Sequence, residues 1–151
     1  MKKTNLSYIL FALNQCKEAR DYGFTLNECR RNLDTALHQY WQANEMGLHG
    51  TARRHLIQKS FAARISDSKC EVEHAVPRSV IINLLLDIAN PTEGKIRHCL
   101  ENYYRVCLVT KREHENLSKL KLRSKMPDDW DGEDPYARYK VAGIRFDEDE
   151  D

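Results

Sequence analysis

The chain has 151 residues, with 24 Lys and Arg against 23 Asp and Glu and a hydrophobic fraction of 41%. That length suits one ordinary domain, or a small domain with an extension, and supplies enough apolar material for a core. The composition excludes low-complexity and fibrous classes, and no apolar run approaches the roughly 20 residues of a membrane helix. Met1 to Leu6 carries lysines but no apolar leader core, so a cytoplasmic protein is expected. The balanced total hides a split: residues 46–125 hold 15 basic and 8 acidic side chains, and residues 126–151 hold 3 and 10. A basic middle suits a polyanionic partner such as nucleic acid. Cys16, Cys29, Cys70, Cys99 and Cys107 form no Cys-x-x-Cys pair, which argues for buried reduced thiols over a zinc ribbon.

In chain order, Leu6, Ile9, Leu10, Leu13 and Cys16 recur at helical spacing and predict a helix over residues 5–20. Gly23 ends it. Thr25 with Glu28 three residues on is a capping box opening a second helix to about Asn44, with Leu26, Leu33, Leu37 and Trp41 on one face. That face is a candidate for homodimerisation or for a protein partner. Gly47 and Gly50 mark a loop, and a third helix is expected over residues 51–65, carrying Arg53, Arg54, Lys59 and Arg64. Residues 69–76 read as a short strand and residues 79–88 as a buried helix. Thr92 caps a further helix to about Tyr103. Residues 104–109 form a second strand, and Thr110 with Glu113 caps a last helix to about Leu122. Residues 126–139 are rich in Pro, Asp and aromatics and read as an ordered loop packing back on the body. Asp147 to Asp151 reads as a disordered acidic tail.

Two short stretches carry chemistry. Glu73 and His74 stand side by side near the end of the first strand, and Pro77 stops it. His114 lies in the first turn of the helix behind the second strand. A carboxylate and an imidazole are ligands for Mg²⁺, Mn²⁺, Zn²⁺ or Ni²⁺. A second imidazole, with an unperturbed pKa near ~6.5, can take a proton from water at neutral pH. His38, His49, His55 and His98 match no motif, and neither a Walker-type loop nor a Gly-x-Ser-x-Gly elbow is present.

Glu73-His74-Ala75-Val76-Pro77, followed by Cys107-Leu108-Val109-Thr110-Lys111-Arg112-Glu113-His114, resembles the HNH, or ββα-metal, endonucleases. The resemblance covers residues 68–122. It implies Glu73 and His114 as metal ligands, His74 as general base, and one divalent metal ion, Mg²⁺ first, with Mn²⁺, Ni²⁺ or Zn²⁺ as alternatives. It gives Asn102 the part of the family's middle asparagine, which props the base, with Asn116 and Asn90 as other candidates. Arg78 would clamp a phosphate, and Lys111 and Arg112 would extend the basic surface. The chain departs from many members in lacking paired zinc cysteines and in placing two helices between the strands.

The expected fold is mostly α, of the α+β class. A helical extension (1–65) precedes a ββα-metal core (66–125), an aromatic and Pro-rich segment (126–144) and the acidic tail (145–151). The expected function is metal-dependent hydrolysis of DNA, or RNA as a second polyanion, in restriction, defence or DNA processing. The competing reading is a non-catalytic helical module that binds nucleic acid or a protein partner.

Overall fold

A computed structural model of the chain describes residues 5–41 and 57–146. Most of these residues lie in helices, and a small mixed sheet of three strands accompanies them, giving an α+β fold. Among them, no helix is long and apolar enough to cross a membrane. The loop expected at Gly47 and Gly50, the basic pair Arg53 and Arg54 and the acidic tail from Asp147 lie outside the described residues.

The chain divides into two compact units, 1–54 with 82–101, and 55–81 with 102–151. In the first, helix α1 (Asn5–Asp21) buries Leu6, Ile9, Ala12, Leu13 and Cys16, the face read from helical spacing. It packs on α3 (Arg31–Tyr40), whose Leu33, Leu37 and Tyr40 are fully enclosed. Leu33, Leu37 and Trp41 are therefore core residues and not a free dimer face. The capping box of Thr25 and Glu28 is formed, but it opens the one-turn helix α2 (Leu26–Cys29). The expected single helix to residue 44 breaks at Arg30, with no Gly or Pro there to announce it. The free thiols of Cys16 and Cys29 stand 3.3 Å apart across α1 and α2.

The second unit holds the sheet, in strand order β1 (Gln58–Lys59), β3 (Val106–Val109), β2 (Glu71–His74). β3 is enclosed along its whole length, which explains its unbroken apolar sequence. β2 runs antiparallel to it, with Glu73 opposite Cys107 and His74 opposite Val106. β1 runs parallel to it on the other side. Two strands were expected, and residues 57–60 were expected to be helical. Instead the helix α4 (Phe61–Ile65) starts only after Ser60, whose hydroxyl accepts from the Ala63 N–H at 3.1 Å.

Between β2 and β3 run α5 (Arg78–Leu86) and α6 (Glu93–Tyr103), the latter capped by Thr92 through the Lys95 N–H. Behind β3, Thr110 and Glu113 form the expected capping box and start α7 (Lys111–Lys119). Residues 126–136 are irregular and ordered by Trp130, whose indole N–H donates to the Asp134 carbonyl at 2.8 Å and whose ring meets Tyr103. A helix not expected from the sequence follows, α8 (Ala137–Ala142), ending at Gly143 in the left-handed region that a glycine adopts without a Cβ clash. The core here joins Ala75, Cys107, Val109, Leu117, Leu122, Tyr139 and Ile144.

Candidate functional site

The site begins with the pleat of β2. Successive side chains on a strand leave opposite faces, and in β2 Val72 is exposed while Glu73 is 9% exposed. Glu73 therefore points beneath the sheet, towards α7. Thr110 sets where α7 starts, because its side chain takes the Glu113 N–H while the Glu113 carboxylate takes the Thr110 N–H at 2.9 Å. The same Glu113 oxygen accepts from the buried Ser60 hydroxyl at 2.6 Å, tying α7 to the start of α4. One residue on from Glu113, His114 is turned under β2, and its Nδ1 lies 2.8 Å from Glu73 Oε2. Residues 41 positions apart in sequence thus meet as the spacing implied.

A third partner was not foreseen. Arg138, in the first turn of α8, is fully buried. Its Nη2 donates to Glu73 Oε1 at 2.9 Å and to the His74 carbonyl. Its Nε donates to the Ala75 carbonyl at 3.0 Å, and its Nη1 to the carbonyls of Leu122 at 2.6 Å and Arg123 at 3.3 Å. A guanidinium carries five N–H groups in a rigid plane, and each of them here has an acceptor. The charge is buried but balanced by Glu73, the condition under which a buried ion is tolerated. The sequence offered one signal: an arginine between Tyr136 and Tyr139, in aromatic company unlike a solvated lysine or arginine. Its many acidic neighbours in sequence gave no hint of a partner 65 residues away.

The other expected residues are placed as follows. His74 ends β2, and its ring meets the edge of Tyr104 at 5.6 Å between centroids. Tyr104 stands in the short link between α6 and β3 and was not singled out from the sequence. Asn102 lies exposed two residues earlier, near the end of α6. Asn116 donates from Nδ2 to the Ala142 carbonyl at 3.0 Å, so it fastens α7 to α8 and is not turned to Glu73. Asn90 is exposed with a positive φ of 50°. Arg78 is the half-buried first residue of α5. Lys111 and Arg112 are exposed in the first turn of α7, with Lys111 4.0 Å from Glu115.

Among the described residues no three His, Cys, Asp or Glu side chains cluster as a closed metal cage. The donor set of Glu73 Oε2 and His114 Nδ1 fits a more open arrangement. Two neighbouring ligands on one small cation, each bonded at about 2.1 Å, stand about 3 Å apart, and these two atoms are 2.8 Å apart. Mg²⁺ and its relatives commonly take one or two protein ligands and complete their shell with water and substrate phosphate. Comparison with family models, with curated proteins and with solved structures returned no match to the chain, so its chemistry is read from its own residues.

Proposed function

We propose that the chain is a metal-dependent endonuclease of the HNH, ββα-metal kind that hydrolyses phosphodiester bonds in DNA. One observation carries this reading. An antiparallel strand pair followed by a capped helix brings the Glu73 carboxylate to within 2.8 Å of the His114 imidazole, with a second histidine next to Glu73 in sequence.

Glu73 and His114 would hold a divalent ion. Taking it up requires the lone pair of His114 Nδ1, so the hydrogen bond between Nδ1 and Glu73 Oε2 would give way to the ion. When bound, the ion polarises a phosphoryl oxygen and stabilises the leaving oxyanion. His74 takes the proton of the attacking water. Its main chain is anchored by Arg138 and its ring rests on Tyr104. Asn102, at the same α6–β3 junction, would keep the propping part that the family gives its middle asparagine. Arg78, Lys111 and Arg112 would grip phosphates. Lys111 and Arg112 occupy the positive end of a helix, where cations are disfavoured by the helix dipole. Two cations and a helix N-terminus converging at one place suit a polyanion.

The test is a plasmid-cleavage gel with Mg²⁺, Mn²⁺, Ni²⁺ or EDTA, run beside His74→Ala. Cutting is expected only with metal, and loss of the base should slow it by about 10²–10⁴-fold. Equal DNA binding by both proteins with no cutting under any metal would replace this reading by the non-catalytic binding module.

A further inference from the structure

We propose that Arg138 is the positioning residue of this site: it holds one oxygen of Glu73, so that Glu73 meets a divalent cation through Oε2 alone, and its charge loosens that cation while fixing its place. The activity part of this inference rests on the nuclease reading above. The binding and spectroscopic parts do not.

The geometry sets out the division of labour. Glu73 Oε1 belongs to Arg138 Nη2 at 2.9 Å, and Oε2 faces His114 Nδ1 at 2.8 Å. A carboxylate pinned at one oxygen cannot swing to chelate with both. Arg138 also takes the carbonyls of His74 and Ala75, so the main chain just after Glu73 is fixed by the same group. The carbonyls of Leu122 and Arg123 hold the guanidinium from the other side. No N–H is left to rotate towards a substrate, so Arg138 acts through Glu73 and His74 and does not touch the reacting atoms.

The sign of its effect on metal binding separates this part from a purely structural one. Most groups that support a metal ligand are carboxylates or carbonyls, which make the ligand more basic, and losing them weakens binding about 10–100-fold. Arg138 is a cation sharing the ligand carboxylate with the metal. At such short range and with little water, like charges oppose each other strongly. Removing the charge should therefore tighten metal binding even as the site loses its geometry.

The experiment compares wild type, Arg138→Gln and Arg138→Lys, each at a temperature where melting curves show it folded. Mn²⁺ affinity is titrated against an indicator dye, and plasmid cleavage is timed at saturating Mn²⁺. Arg138→Gln is expected to bind Mn²⁺ about tenfold more tightly and to cleave at least about tenfold more slowly. Arg138→Lys keeps the charge but not the planar fork, so its affinity should match wild type while its rate falls. A folded Arg138→Gln protein that binds Mn²⁺ no more tightly than wild type, or that cleaves at the wild-type rate, overturns the proposal.

If neither variant folds, the wild type decides by ¹⁵N NMR of arginine side chains during a Mg²⁺ titration. Arg138 Nη–H signals that stay protected with Mg²⁺ bound support the retained Oε1 bond, and loss of that protection overturns it. A wild type that binds Mn²⁺ but cuts neither DNA nor RNA rejects the nuclease reading and leaves Arg138 to the affinity and NMR results. A wild type that binds no divalent cation overturns the proposal itself.

Discussion

Cys107 sits opposite Glu73 in the β2–β3 register, and burial has raised its thiol pKa from the ordinary 9.0 to about 12, with a smaller push from the Glu73 charge. Cys16 and Cys99 are raised to about 11, burial being the first cause in both. The direction fixes a pH dependence. Below about pH 9 these thiols are protonated whether the chain is folded or not, and their contribution to stability is complete. Between pH 9 and about 11 for Cys16 and Cys99, or about 12 for Cys107, the unfolded chain ionises the thiol and the folded one does not, so stability falls as pH rises. Melting temperatures should therefore drop between pH 8 and pH 11, and the drop should be shallower in Cys107→Ala. Parallel curves for the two proteins would show that the Cys107 thiol has no such part. The five cysteines were legible in the sequence as thiols without a metal motif, and none of the five is in a disulfide. The meeting of Glu73 with His114 was legible because the strand and the capped helix that carry them could both be read from local sequence. Arg138 was not, because the partner of a buried charge is chosen by the fold and not by its neighbours in sequence.

Helix starts proved easier to read than helix ends. Both capping boxes, Thr25 with Glu28 and Thr110 with Glu113, form with reciprocal hydrogen bonds, since the signal is local and needs only four residues. β1 could not be read: two residues give no alternation, and Leu56, Ile57, Phe61 and Ile65 mimic a helical face. α8 was hidden by the Pro and Asp residues just before it. The end of α7 also breaks a local rule. Lys121 adopts a left-handed φ of 60°, while the Leu122 N–H reaches back to the Leu117 carbonyl at 2.8 Å. This is the helix-ending turn in which glycine is the usual choice. A lysine there stores about 1 kcal/mol of backbone strain. The turn leads directly to the Leu122 and Arg123 carbonyls that Arg138 uses, so the strain is held where the site is anchored. Lys121→Gly is expected to raise stability by about 0.5–1 kcal/mol in urea unfolding. A fall in stability would mean that the lysine side chain contributes more than its backbone costs.

At the scale of the whole molecule, residues 82–101 group with the N-terminal helices, and both ends of the chain segment that makes the sheet group together. A single sequence marks no such regrouping, because it depends on contacts between distant segments. Charge was easier to read. Lys111, Arg112, Lys119, Lys121, Arg123 and Lys125 are all exposed within the second unit, and the ion pair of Lys111 with Glu115 is a long, solvated one worth little. If these side chains grip phosphates, each contact releases counterions. The double variant Lys111→Ala, Arg112→Ala should then reduce the slope of log affinity against log salt by about 2. Fluorescence titration of a short duplex at several salt concentrations measures it, and an unchanged slope would remove both residues from the interface.

The ion pair between Glu73 and Arg138 also bears on how the protein is made. Synthesis runs from the N-terminus, and early segments can begin to fold before later ones leave the ribosome. Glu73, His74 and His114 all emerge by residue 114, and Arg138, the counter-charge to Glu73, emerges after them. Until then Glu73 lacks its cation, and the carbonyls of His74 and Ala75 lack the N–H groups of Arg138. Translation thus delivers Glu73 and His114 early and the arginine that locks Glu73 late, and any chain released between those two points carries this carboxylate and imidazole without the buried ion pair that fixes them.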